Sequence, residues 1–170
     1  MKKQLIFSFL AVFVCLCAFL ILQIRDKVAR QKVVKENVQL LPNLPIFGLD
    51  STQYTLYQAV SSPKATLLIF FNPACEHCQY EAKEISKHIA DFEGRELVFI
   101  SWESIKDIQA FKNQYFAAIH HVHFYKVSLP VLSANFGGLS VPSIYVYDQD
   151  KKLVKQYKGE TKIELLIANE

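Results

Sequence analysis

One unbroken apolar run constrains the fold of this chain more than any other feature. Residues 65–71 read ATLLIFF, and a single threonine is their only polar side chain. A run of this length is typical of a strand that is buried on both faces, which requires a covering layer on each side of a sheet. The sequence therefore predicts a layered α/β domain built around this strand.

A helix is predicted directly after the strand. Its apolar residues recur at spacings of four, three, four and three, which places them on one stripe: Cys78, Ala82, Ile85, Ile89 and Phe92. Leu97–Trp102 then predicts a second strand and His121–Tyr125 a third. Between these two strands, Ser104 is expected to cap another helix, with Asp107 as its partner in a capping box.

Antiparallel strands are predicted on both sides of this central region. Ile46–Leu49 and Tyr54–Leu56 form a short hairpin before the buried strand. Ser143–Tyr147 and Leu153–Tyr157 form a second hairpin about a polar turn. Parallel strands joined by helices, with an antiparallel edge, indicate a three-layer α/β sandwich with a mixed central sheet.

A last helix is predicted after Thr161. Glu164 comes three residues later and would complete a second capping box. The predicted order is therefore strand, helix, strand, helix, strand, hairpin and helix, preceded by the first short hairpin.

The chain opens with an apolar segment that has the length of a transmembrane helix. Residues 5–22 carry no charged side chain, and as a helix they would reach roughly 27 Å. The run ends without the small-residue pattern of a signal-peptide cleavage site, so we expect an uncleaved anchor. Cys15 and Cys17 are not preceded by the small residue that a lipoprotein site needs, and we interpret them as small apolar residues in lipid.

The predicted organisation is an anchor over residues 5–22, a polar stalk over residues 23–41 and one domain over residues 42–170. Residues 1–37 hold seven basic residues (Lys and Arg) and two acidic ones (Asp and Glu). Residues 38–170 hold twelve basic residues and fourteen acidic ones. The basic charge therefore belongs to the membrane-flanking segment. The domain itself gives no reason to expect a nucleic-acid partner.

The basic residues also bear on orientation. More of them lie after the apolar run than before it, which by the positive-inside rule would keep the domain in the cytoplasm. A short basic N-terminus, here Lys2 and Lys3, before one apolar run is the pattern of a signal anchor, which exports the domain on its C-terminal side. We expect export, with an extracytoplasmic (periplasmic) domain.

The motif that carries chemistry, Cys75-Glu76-His77-Cys78, lies where the buried strand ends and a helix begins. Backbone N–H groups and the helix dipole at such a position stabilise a thiolate and lower the thiol pKa. Cys75 is therefore the candidate nucleophile, and Cys78 is the candidate resolving thiol. The alternatives are a zinc half-site and two structural thiols, although the sequence has no second CxxC to complete a zinc site.

Three neighbouring side chains are candidates for tuning the pair. Glu81 borders the apolar stripe one turn after Cys78, where a carboxylate can move a proton; the alternative is a solvated surface glutamate. His77, as a cation, would favour the Cys75 thiolate, whereas Glu76 would oppose it. These opposite effects leave the direction of electron flow open.

Two segments together resemble the thioredoxin superfamily: ATLLIFFNPACEHCQYEAKEI and LSVPSIYVYDQDKKLVKQYKG. With the anchor and the early hairpin, the chain is most similar to the membrane-anchored TlpA/ResA-like thiol–disulfide oxidoreductases, over residues 42–168. The resemblance implies a thioredoxin-like fold with Cys75 and Cys78 as the redox pair. It also implies that Pro142 is a cis-proline beside that pair and that the backbone of Val141 holds substrate.

The resemblance further implies dithiol–disulfide exchange with extracytoplasmic protein substrates, a membrane or periplasmic electron donor, and no cofactor. Glu81 falls at the position of a glutamate that tunes the cysteines in the ResA-like group. The alternative is a Sco-like copper metallochaperone, which would use the cysteines and a distant histidine, with His120, His121 and His123 as candidates. Sco-type proteins have three residues between their cysteines, whereas this chain has two. A peroxiredoxin is disfavoured because Asn72 stands where its threonine is expected.

Overall fold

The computed structural model describes residues 2–60, 63–119 and 121–168, with side chains from residue 13 onward. It divides the chain into two compact units, residues 1–36 and 37–170. Helix α1 (Lys2–Asn37) forms the first unit and combines the predicted anchor and most of the predicted stalk in one helix.

No helix that the structure describes combines the length and the apolar character needed to cross a membrane. The predicted anchor, residues 5–22, lies partly outside the residues whose side chains are described.

Seven strands form one mixed sheet in the second unit: β1 (Pro45–Phe47), β2 (Gln53–Thr55), β3 (Ala65–Phe70), β4 (Arg95–Ser101), β5 (Val122–Lys126), β6 (Ser143–Tyr147) and β7 (Leu153–Lys158). Their order across the sheet is β2-β1-β5-β4-β3-β6-β7. β3, β4 and β5 run parallel, whereas the β1–β2 hairpin and the β6–β7 hairpin pair antiparallel at the two sides. Both predicted hairpins are confirmed.

Five helices of the second unit are described: α2 (Leu56–Ala59), α3 (Glu76–Lys87), α4 (Ile105–Phe116), α5 (Leu129–Phe136) and α6 (Ile163–Ile167). A 3-10 turn, Ile89–Phe92, comes after α3 and continues its apolar stripe. α2 and α5 have no counterpart in the sequence prediction. α2 has only four residues. α5 carries Pro130 in its first turn, where backbone N–H groups have no partner within the helix, so proline costs no hydrogen bond there.

The central strand β3 is buried on both faces, as the apolar run predicted. Leu67 and Ile69 face a core shared with α3, α4 and α6, whereas Leu68 and Phe70 face a core shared with α2 and α5. All four side chains are no more than 1% exposed. The predicted three-layer sandwich with a mixed sheet is confirmed.

One predicted capping box is wrong and the other is confirmed in part. Lys162 is the residue before α6, and no side-chain hydrogen bond caps that helix. Thr161 instead donates its N–H to the carboxylate of Glu81, on α3. At α4, Ser104 Oγ accepts the Asp107 N–H at 3.2 Å, but the Asp107 carboxylate accepts from the Ser104 hydroxyl rather than from its backbone. The Thr161 N–H therefore makes a tertiary hydrogen bond to α3 in place of the predicted local one.

The globular unit begins earlier than predicted. Val38 and Leu41 are buried, at 4% and 1% exposed. The Leu41 N–H donates to the carbonyl of Lys151, and the Tyr147 hydroxyl donates to the carbonyl of Val38. Residues 38–41 are therefore part of the domain rather than part of a free stalk.

Leu41→Ala should lower the free energy of unfolding by about 2–4 kcal/mol, because it removes a fully buried side chain from a packed core. Leu40→Ala is the matched control, since Leu40 is 55% exposed and its truncation should have little effect. Urea unfolding of the full-length chain measures both changes. Equal unfolding midpoints for the two variants would show that this segment is not part of the core.

Candidate active site

The two cysteines of the motif lie where α3 begins, shortly after the carboxyl end of β3. Cys75 is the N-cap residue of α3, and Cys78 lies in its first turn. Both are free thiols. Cys78 is 2% exposed, whereas Cys75 is partly exposed. Of the two sulfurs, that of Cys75 is therefore the one within reach of another molecule.

Asn72 organises the loop between β3 and Cys75. Its backbone N–H donates to Cys78 Sγ at 3.5 Å, and its side-chain oxygen accepts the Ala74 N–H at 2.8 Å. Its side-chain Nδ2 donates to Glu103 Oε1 at 2.8 Å. No role in this loop was predicted for Asn72, although a short amide side chain before a helix is a signal for such a turn.

Burial raises the pKa of Cys78 to about 12. The hydrogen bond from the Asn72 N–H opposes this effect, whereas the neighbouring Cys75 and the charge of Glu81 add to it. In the reduced protein Cys78 therefore keeps its proton at neutral pH. It needs a nearby base before it can attack another sulfur.

The Val141–Pro142 peptide bond is cis, which confirms the prediction made for Pro142. Pro142 is buried and Val141 is partly exposed, immediately before β6. The Cys75 thiol points at the carbonyl oxygen of Val141, with 3.9 Å between sulfur and oxygen. Distant segments of the chain thus meet at Cys75, as the resemblance implied.

Glu81 is 2% exposed and is therefore not a solvated surface residue. Its Oε2 accepts the Thr161 N–H at 2.8 Å, and its Oε1 is buried without a hydrogen-bond partner in the described part of the chain. Burial raises the pKa of Glu81 to about 7; the Thr161 bond opposes this effect, and the charges of Glu160 and Glu84 add to it. A carboxyl group with this pKa is suited to proton transfer near neutral pH.

The two residues between the cysteines are exposed. Glu76 lies in the first turn of α3, where a negative charge is favourable for the helix dipole. His77 Nδ1 lies 2.5 Å from Glu160 Oε1, a residue 83 positions later in the chain. No contact of Glu160 or Thr161 with the site was predicted, because spacing within one helix carries no signal for a loop that arrives from another part of the fold.

The distant histidines lie away from the cysteines. His121 precedes β5 and His123 is near its amino end, where His123 Nε2 pairs with Glu96 Oε2 at 3.2 Å. Since β3, β4 and β5 are parallel, the cysteines lie beyond the opposite, carboxyl edge of the sheet. His120 lies outside the described residues. Within the parts that are described, no three His, Cys, Asp or Glu residues are placed to hold a metal ion.

A surface cleft of about 270 Å³ adjoins the loop before Cys75. Its lining includes Asn72 and Ala74 of this loop, together with Glu103 and Asp107. The cleft therefore lies beside the loop that precedes Cys75.

A family model described as the AhpC/TSA family matches residues 38–166, which is the globular unit almost in full. The chain belongs to the AhpC/TSA family. Its fold is thioredoxin-like, which confirms the superfamily predicted from the sequence. No curated protein sequence matches the chain.

Solved structures share the fold of this AhpC/TSA family member at low identity. Mycobacterium tuberculosis dsbF, in mixed oxidized and reduced forms, is 20% identical with a TM-score of 0.61, covering 77% of this chain and 92% of that one. StoA from Bacillus subtilis is 14% identical with a TM-score of 0.57, covering 76% and 96%. Arabidopsis thaliana ScoI with copper bound is 13% identical with a TM-score of 0.59, covering 74% and 91%. At these identities the likeness concerns the fold alone.

Glu81→Gln should remove a pH dependence of stability. Because the pKa of Glu81 is raised to about 7, its contribution to stability is fully present below its ordinary value of 4.5 and is lost as the pH rises through about 7. The wild-type chain should therefore lose about 1–3 kcal/mol relative to Glu81→Gln between these pH values. Urea unfolding at a series of pH values measures the difference.

The matched control is Glu84→Gln, which alters a partly exposed carboxylate whose pKa is lowered by Lys87. It should leave the loss of stability between pH 4.5 and 7 in place. If Glu81→Gln also leaves that loss unchanged, the buried carboxyl is not its source.

Proposed function

We propose that this chain is a membrane-anchored thiol–disulfide oxidoreductase of the TlpA/ResA-like kind, acting on extracytoplasmic protein substrates. The observation that carries the proposal is the arrangement of three groups at the start of α3. An accessible thiol, Cys75, precedes a buried protonated thiol, Cys78, which has the buried carboxyl group of Glu81 one turn away. This arrangement supplies a nucleophile, a resolving group and a base.

In the first step, the Cys75 thiolate attacks one sulfur of a substrate disulfide. The substrate S–S bond breaks, its second sulfur leaves as a thiolate, and a mixed disulfide joins Cys75 to the substrate. Free N–H groups at the start of α3 favour the attacking thiolate. The carbonyl of Val141 lies 3.9 Å from Cys75 Sγ, so this backbone is placed to hold the substrate chain beside the reacting sulfur.

In the second step, the Glu81 carboxylate accepts the proton of Cys78. The Cys78 thiolate attacks Cys75 Sγ, the mixed disulfide breaks, and the substrate sulfur that was bonded to Cys75 leaves and takes up a proton. The products are a reduced substrate dithiol and a Cys75–Cys78 disulfide, after transfer of two electrons. Among the described residues Glu81 Oε1 has no hydrogen-bond partner, which leaves it a lone pair for this proton.

A dithiol donor in the membrane or the periplasm would return the Cys75–Cys78 disulfide to the reduced form. The same steps in reverse would oxidise a substrate dithiol. The relative reduction potentials of the enzyme, substrate and donor set the direction.

Support for membrane anchoring comes from the sequence. Residues 5–22 carry no charged side chain, and Lys2 and Lys3 precede them. The early hairpin, β1 and β2, adds to the likeness with TlpA/ResA-like proteins. The placement of the domain outside the cytoplasm is part of the same proposal.

Cys78→Ser should accumulate mixed disulfides with substrate proteins, because attack by Cys75 remains possible and resolution is lost. Cys75→Ser should trap none. Both variants are made in a chain whose Cys15 and Cys17 are replaced by serine, so that only the motif can react. Non-reducing electrophoresis of cells expressing the full chain measures the adducts. If Cys75→Ser is the variant that accumulates them, the roles of the two thiols are reversed.

A fusion of alkaline phosphatase to the C-terminus should be active, because this enzyme needs an oxidising compartment to form its disulfides. A matched fusion to a reporter that works only in the cytoplasm should be inactive. An inactive phosphatase fusion that is well expressed would place the domain in the cytoplasm.

A further inference from the structure

The loop after β7 contacts two parts of the site through its backbone. The Gly159 N–H donates to the Pro142 carbonyl at 2.8 Å, and the Thr161 N–H donates to Glu81 Oε2 at 2.8 Å. Gly159 has a φ of 79°, in the left-handed region that glycine adopts without steric cost. The loop thus turns sharply between the cis-proline and the buried carboxylate.

The side chain between these two backbone contacts reaches a third part of the site. Glu160 Oε1 lies 2.5 Å from Nδ1 of His77, inside the redox motif. The two side chains are 43% and 70% exposed, so the pair adds little to overall stability. The pair lies between the two backbone hydrogen bonds of the loop, those of Gly159 and Thr161. Its effect is therefore local, because it fixes the loop against the start of α3.

We infer, resting on the proposed function, that Glu160 is a positioning residue whose contact with His77 holds the loop so that the Thr161 N–H reaches Glu81. Without that contact the loop is held at its two ends, by the bond from Gly159 to Pro142 and by the burial of Ile163 in α6, and the Thr161 peptide between them can turn away from Glu81. Release of the Thr161 N–H would leave both oxygens of the Glu81 carboxylate without a donor. The charged form of Glu81 would then be disfavoured, and less base would be present to accept the proton of Cys78.

Two opposite effects of Glu160 make this role measurable. Its negative charge raises the pKa of Glu81, and the Thr161 bond that it holds in place lowers that pKa by a larger amount. The other titratable groups that face Glu81 are Cys78 and Glu84, both on α3. Removing the charge alone should therefore lower the pKa of Glu81, whereas releasing the loop should raise it.

The experiment compares Glu160→Gln with Glu160→Ala in the detergent-solubilised full-length chain. Glutamine loses the charge but can still accept a hydrogen bond from His77, whereas alanine loses both. The pH midpoint of the Glu81 carboxyl is read from its carbon-13 chemical shift. We expect a lower midpoint in Glu160→Gln and a higher one in Glu160→Ala. Glu84→Gln is the matched control: it removes a neighbouring charge without touching the loop, and should only lower the midpoint.

His77→Ala tests the other side of the contact. It leaves the charge of Glu160 in place and frees the loop, so the midpoint should rise as in Glu160→Ala. If Glu160→Ala lowers the midpoint as Glu160→Gln does, or if His77→Ala leaves it unchanged, the positioning role is overturned and Glu160 acts by charge alone.

A rate measurement links the contact to the reaction. At neutral pH, resolution of a preformed mixed disulfide should slow roughly three- to tenfold in Glu160→Ala and remain near the wild-type rate in Glu160→Gln. A wild-type chain that exchanges with no protein disulfide would refute the proposed function. The midpoints of Glu81 would still decide the positioning role, because their measurement needs no substrate.

Discussion

Burial of β3 between two layers of helices determines where this chain can carry chemistry. The strand has neighbours on both edges, β4 and β6, and apolar cores against both faces, so its side chains from Thr66 to Phe70 are buried. The chain first reaches the surface beyond the carboxyl end of the strand, where α3 begins. Cys75 lies at that point, and Cys78 lies on the face of α3 that packs against the core. The different environments of the two thiols therefore result from one packing arrangement.

Packing Cys78 against the core also creates the need for a buried base. A thiol with a pKa of about 12 does not ionise by itself near neutral pH. Glu81 lies on the same face one turn later, and the same burial raises its pKa to about 7. The two shifts have one cause, since desolvation disfavours the charged form of each group. Both groups therefore hold a proton more tightly than exposed groups of their kind do, and Glu81 becomes a stronger base than an exposed carboxylate.

The sequence predicted those parts of the fold whose signal is local. The apolar run of β3 and the apolar stripe of α3 are periodic patterns, and both elements lie where the patterns placed them. The parts that it missed depend on distant contacts. Val38 and Leu41 are buried because they pack against the β6–β7 hairpin. The Thr161 N–H, which a capping box would use within its own helix, donates instead to Glu81 on α3.

The same distinction holds for the site. Cys75, Cys78 and Pro142 were predicted from their motifs. The position of Glu81 on the border of the stripe left two interpretations, and its burial excludes the solvated surface glutamate. Glu160 lies 83 residues from His77, and no spacing pattern connects positions so far apart.

The raised pKa of Cys78 couples electron transfer to the acidity of the surroundings. In the proposed exchange, reduction of a Cys75–Cys78 disulfide would place a proton on the Cys78 sulfur at any pH below about 12. Each proton taken up with the two electrons makes the reduction potential fall by about 30 mV for each unit of rising pH, and Cys78 accounts for one such proton. A more acidic compartment therefore shifts the pair towards the dithiol, and a more alkaline one towards the disulfide.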